Sequence, residues 1–113
     1  MPPEIRQYLN DILDAASLLK EFTHGKTLDE YTGSPLLRSA TERQFGIIGE
    51  AVSKLANLDE AIASRITEYR QIIAFRNLLI HQYRSVENSA VWTILQDKLP
   101  ILVLDVEALV KER

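Results

Sequence analysis

Four side chains able to do chemistry lie within the eight residues Arg76-Asn77-Leu78-Leu79-Ile80-His81-Gln82-Tyr83. They follow Ile72-Ile73-Ala74-Phe75, a run expected deep in a helical core. A core segment has no use for an Arg, an Asn, a His and a Tyr, so each must be exposed, paired or used. Arg and His at this spacing fit the cleavage of RNA by its own 2′-hydroxyl. That reaction needs a base for the hydroxyl proton, an acid for the leaving 5′-oxygen, and positive charge beside the phosphorane. His serves both proton transfers because its ordinary pKa lies near about 6.5. Arg serves the phosphate because its charge is permanent and its donors are forked. The scheme requires no metal or other cofactor, and no convincing metal site is legible, since the second His, His24, is far away in sequence.

Plainer roles stand beside these. His81 could be the cation at a helix C-terminus, a placement worth about 0.3–1 kcal/mol. Arg76 could form a surface ion pair, and Tyr83 could be a half-buried aromatic. Glu42, Arg43 and Glu50 read as solvated or paired within their own helix, and Trp92 reads as core.

Helical geometry constrains the chemical reading. At about 100° per residue, Arg76 and His81 point roughly 140° apart, Asn77 and His81 roughly 40° apart, and Arg76 and Tyr83 share nearly one face. One regular helix therefore does not bring Arg76 and His81 to the same phosphate. Either the helix distorts near His81, or two copies of the chain face each other and line one cleft. The second arrangement, a symmetric homodimer with a shared site, is the favoured expectation.

The elements that must position these residues are helical. Ile5, Tyr8, Leu9, Ile12, Leu13, Ala16, Leu19 and Phe22 form one apolar stripe, which predicts a helix over about residues 4–23. Thr27-Leu28-Asp29-Glu30 has capping-box spacing, which predicts a short turn of helix near 28–32. Ser34 and Pro35 start the next helix, which runs to about residue 57 with Gly46 and Gly49 inside it. Each glycine costs about 1 kcal/mol relative to Ala in a helix. A close helix–helix approach near Ile47-Ile48-Gly49, across a dimer interface for instance, would account for them. The irregular segment 57–67 has room for another short helix. Thr67 is the expected N-cap of the motif helix, about 68–83. Asn88 or Ser89 is the expected cap of the last helical region, which Pro100 breaks or kinks. The expected architecture is an all-α, up-and-down bundle of four to five helices in one domain, residues 1–113.

Composition is consistent with a soluble domain. The 113 residues carry a net charge of −3 and no cysteine, which excludes disulfides and thiolate metal sites. The start of the chain does not read as a signal peptide, and no stretch is long and apolar enough to span a membrane. A cytoplasmic location is the expectation. Residues 65–84 hold four arginines against one glutamate, a local charge of +3 that leaves −6 for the rest of the chain. A locally basic site on an acidic body suits a polyanion.

The sequence resembles the HepT-like branch of the HEPN superfamily. The resemblance rests on several segments in order: the amphipathic Tyr8-Leu9-Asn10-Asp11-Ile12-Leu13, the stretch from Glu42 through Ile48-Gly49-Glu50-Ala51, the R-N-x-x-x-H-x-Y motif from Arg76 to Tyr83, Trp92, and Leu99-Pro100. It spans nearly the whole chain. One departure is that segment 57–67 lacks the Pro many relatives carry there, which bears on the loop before the motif. The resemblance implies a HEPN-like helical homodimer. It further implies a metal-independent ribonuclease toxin of a type VII toxin–antitoxin pair, with Arg76 and His81 as catalytic pair and Asn77 in support. Tyr83 matches the tyrosine that an MntA-like nucleotidyltransferase antitoxin modifies with AMP. The implied partners are RNA, that antitoxin and a second copy, with neither membrane nor DNA. The alternative is a non-catalytic helical subunit that binds a minimal nucleotidyltransferase.

Overall fold

The computed structural model describes residues 1–112, and Tyr83 by its backbone alone. Among these residues there is no strand, and the fold is all-α. Helix α1 (Pro3–Thr23) starts with a proline in its first turn, where the missing N–H has no helical partner to lose. It buries Ile5, Leu9, Ile12, Ala15, Ala16 and Leu19, the stripe expected from the sequence. Gly25 then turns the chain with φ at +72°, a conformation open to glycine. The short α2 (Leu28–Thr32) has the expected capping box. The Thr27 hydroxyl accepts from the Glu30 N–H (3.1 Å), and the Glu30 carboxylate accepts from the Thr27 N–H (3.0 Å). Ser34 caps α3 (Pro35–Leu58) by accepting from the Leu37 N–H. The segment before the motif does hold one more turn of helix, α4 (Glu60–Ala63), capped by Asp59.

Helix α5 (Tyr69–His81) carries the motif, and its boundaries differ from expectation at both ends. Thr67 is not its cap. The Thr67 N–H instead donates to the Asp105 carboxylate at 2.8 Å, a tertiary bond to the last helix that places Thr67 outside α5. Glu68 becomes the N-cap in the left-handed region (φ 57°, ψ 35°), with no side-chain capping bond. At the other end α5 stops at His81, two residues early, and residues 83–85 form a 3₁₀ turn. Leu79 is the one buried residue of α5, so no further core contact rewards another turn.

Helix α6 (Asn88–Thr93) is capped by Glu87, without a side-chain bond, rather than by Asn88 or Ser89. The Glu87 carbonyl takes the first bonds, from the N–H groups of Ala90 and Val91. A π turn over Ile94–Lys98 joins α6 to α7 (Leu99–Lys111). The expected break at Pro100 is thus a widened turn just ahead of the proline: the Leu99 N–H reaches back to the Ile94 carbonyl, and Pro100, in the first turn of α7, has no N–H to continue that ladder.

Helix α1 packs between α3 and α7, and α3 packs between α1 and α5. The motif helix therefore lies at the outer end of the row. Tyr31 and the stripes of α1, α3 and α7 make the core. Trp92 is half-buried rather than core, tilted against the fully buried Tyr31 ring at 5.5 Å between centroids. No helix among the described residues is long and apolar enough to cross a membrane.

Candidate active site

Helix α5 is seated on α3 at three places. The rings of Phe45 and Phe75 meet edge to face at 5.3 Å. Leu79 is buried. Between these, Gly49 lets the stem of Arg76 lie on the α3 backbone, because a Cβ at Gly49 would overlap Arg76 Cβ and lie 2.7 Å from its Cγ. The close approach expected around Gly49 thus occurs within one chain. Gly46 is different, since a Cβ added there would meet nothing within 4 Å.

The head of Arg76 is held as well. One terminal nitrogen pairs with the Glu50 carboxylate, and the other donates to the Asn77 side-chain oxygen at 3.1 Å. The Arg76 Nε is enclosed and has no hydrogen-bond partner among the described residues. Glu50 also faces Lys54 at 3.7 Å, one turn along its own helix. The expectation that Glu50 pairs within its helix was half of the matter. The cross-helix bond to Arg76 was not anticipated, although the glycine directly before Glu50 marks the crossing that makes it.

Arg76 and Glu50 border an open cleft of about 660 Å³ between α1, α3 and α5. Tyr8 and Asp11 come from α1, Glu42, Arg43, Gly46 and Lys54 from α3, and Ile80 from α5. Its charged side chains are of both signs. Burial raises the Glu42 carboxyl above its ordinary pKa, against the opposing influence of Arg38. On the other flank, α5 leaves an apolar groove of about 280 Å³ lined by Phe45, Ile72, Phe75, Ile94 and Leu102. The Glu68–Lys98 ion pair (3.1 Å) borders that groove.

Arg76 and Asn77 are brought together, but of the motif's polar residues it is Arg76 that borders the cleft, and neither Asn77 nor His81 is among the residues lining it. Helix α5 stays α-helical through His81, so the distortion that might have joined the two side chains within one helix does not occur. His81 is exposed at the helix end. The backbone of Tyr83 opens the 3₁₀ turn two residues later, and its side chain lies outside the described residues. The basic density expected over residues 65–84 is also reshaped by the fold. Arg65 pairs with Glu112, Arg70 with Glu60 at 3.2 Å, and Arg76 with Glu50. Each acid comes from outside the basic stretch, so part of the positive charge read from the sequence is met by a tertiary partner.

The chain is similar to known proteins over most of its length. Residues 12–109 match the family described as "Ribonuclease HepT-like". A Methanocaldococcus jannaschii protein that bears an RNase name, MJ1380, is 30% identical over 104 residues, covering 92% of this chain and 94% of its own. One from Caldanaerobacter subterraneus, also bearing an RNase name, is 32% identical over 96% of both chains. One from Thermococcus cleftensis, named as a ribonuclease HepT, is 29% identical over 86% of this chain and 87% of its own. No solved structure matches significantly. The family match spans α1 from Ile12 onward, the Gly49–Glu50 crossing and the whole motif helix, and the chain belongs to the HepT-like ribonucleases.

Proposed function

We propose that this chain is a metal-independent endoribonuclease toxin, acting in the cytoplasm as a single domain that works in pairs. The observation that carries the reading is the separation of Arg76 from His81. A fixed guanidinium borders an open cleft, while the imidazole sits at the end of the same regular helix, away from that cleft. Two copies facing each other let Arg76 of one meet His81 of the other on a single phosphate. Two further features support pairing. Helix α5 packs chiefly on α3 and leaves Ile80 half exposed, and Gly46 offers a bare stretch of α3 on the cleft floor.

In this reading the Arg76 guanidinium binds the scissile phosphate and Asn77 steadies it. His81 takes the proton of the 2′-hydroxyl as its oxygen attacks phosphorus. The bond to the 5′-oxygen breaks, and that oxygen receives a proton from the imidazolium. The products are a 2′,3′-cyclic phosphate and a free 5′-hydroxyl, and no cofactor enters. The control point is Tyr83, two residues beyond His81. AMP transferred to it by an MntA-like nucleotidyltransferase antitoxin would put phosphate charge and bulk where RNA must bind.

The test is cleavage of labelled RNA in EDTA by wild type, His81→Ala and Tyr83→Phe. We expect cleavage by wild type and a loss of about 10²–10⁴-fold in His81→Ala. Tyr83→Phe should cut RNA and escape silencing by the nucleotidyltransferase. Intact RNA with folded wild type overturns the ribonuclease reading and leaves a binding subunit for the nucleotidyltransferase.

A further inference from the structure

Arg76 differs from the other paired arginines of its segment. The Arg65 and Arg70 side chains are 50% and 77% exposed, whereas that of Arg76 is 28% exposed and still borders the cleft. Two successive residues of α3 do this. Gly49 removes the side chain that would push the Arg76 stem away, and Glu50 takes the guanidinium at one terminal nitrogen. Asn77 takes the other terminal nitrogen. A guanidinium carries five N–H donors in a rigid plane. One bond on each terminal nitrogen fixes that plane and leaves a further donor on each.

The charge of Glu50 opposes an incoming phosphate, so the carboxylate works against RNA binding. What it supplies is orientation, and orientation counts when the phosphorane forms and its oxygens must meet donors already in place. We propose that Glu50 is a positioning residue for the reaction, acting through Arg76 and seated by Gly49. The assignment rests on the ribonuclease reading above. It has a signature that a structural role lacks: removing the charge lowers turnover without weakening RNA binding.

The experiment measures kcat and KM on a short labelled RNA for wild type, Glu50→Gln, Arg76→Ala and the double variant. It also measures binding of a 2′-O-methyl RNA that cannot be cut. For Glu50→Gln we expect kcat to fall tenfold or more, with KM and the affinity for uncut RNA unchanged or tighter. In the Arg76→Ala background the same substitution should change kcat by less than twofold, because its route is gone. Should Glu50→Gln fold poorly by thermal melt, Glu50→Asp, which keeps the charge on a shorter stem, must show the same split. A kcat within twofold of wild type overturns the proposal, as does weaker RNA binding or an equal fall without Arg76. A rise in kcat overturns it too and makes Glu50 a mask over Arg76. Wild type that leaves RNA intact removes the ribonuclease reading and this one together. Wild type that cuts, beside an unaltered Glu50→Gln, removes this one alone.

Discussion

Gly49 and Arg76 sit against each other with no room for a methyl group between them. The contact is between the α3 backbone and the first two carbons of the arginine stem, neither of which can swing aside as a side-chain tip can. Gly49→Ala should therefore destabilise the fold by about 1–3 kcal/mol, through a shift of α5 away from α3. Thermal denaturation should show a drop in Tm of several degrees. An unchanged Tm would mean that the crossing has slack.

Gly46, one turn earlier, predicts the opposite sign. An added Cβ meets nothing within 4 Å, so Gly46→Ala should gain helix propensity, up to about 1 kcal/mol, in the isolated chain. If a second copy lies against this face, the same substitution should weaken self-association. Denaturation and sedimentation measured on the same variant separate the two effects. A stabilised chain with unaltered association would take Gly46 out of any contact between copies.

The proposed sharing of a site between two copies can be tested by mixing. Chains with Arg76→Ala and chains with His81→Ala should each keep only a small residual cleavage alone. Co-refolded, they should form mixed dimers in which one of the two sites keeps an intact Arg76 and an intact His81. Random pairing predicts recovery of about one quarter of wild-type cleavage. No recovery would place Arg76 and His81 of the same chain on each phosphate.

Glu42 predicts a pH dependence. Its carboxyl lies above its ordinary pKa in the folded chain because burial disfavours the charged form. The folded state thus holds the proton after the unfolded state has released it. Stability should fall as pH rises from the ordinary carboxylate range to the raised value, and stay level above it. Glu42→Gln should flatten this part of the curve and leave the protein at least as stable near neutrality. Melting temperatures from about pH 4 to 7 would show this. A variant whose curve keeps the wild-type slope would assign that slope to another group.

Periodicity and caps made most of the fold legible. The α1 stripe, the Thr27–Glu30 box and the Ser34 cap are local, and local chemistry decided them. Helix α5 was placed less well because its limits are tertiary. Asp105, 38 residues away, takes the Thr67 N–H that a local reading assigned to the helix start. The site followed the same division. Within one helix, spacing alone set Arg76 and His81 apart, and the regular helix keeps that arrangement. The acids that meet Arg65, Arg70 and Arg76 lie on other elements, so the sequence read more basic than the folded surface is. The one visible hint was Gly49, whose helix-weakening presence marked the crossing without naming what crosses there.

The π turn at Ile94–Lys98 sets the phase of the chain's last third. Buried positions run Val91, Leu95, Leu99, Leu102, Val106 and Leu109, a spacing that would keep one face on an ordinary helix. The wide turn adds one residue to that winding, so α7, packed on α1, is set back by about 100° from where regular winding out of α6, packed on α2, would put it. It behaves as a single-residue insertion whose frame the downstream residues have been written to match. Deleting one residue there would restore regular winding and leave the stretch after it in nearly its present orientation, whereas forcing regular winding with every residue kept would rotate that stretch by about 100°. The least regular turn in the bundle is thus what keeps its C-terminal helix in register.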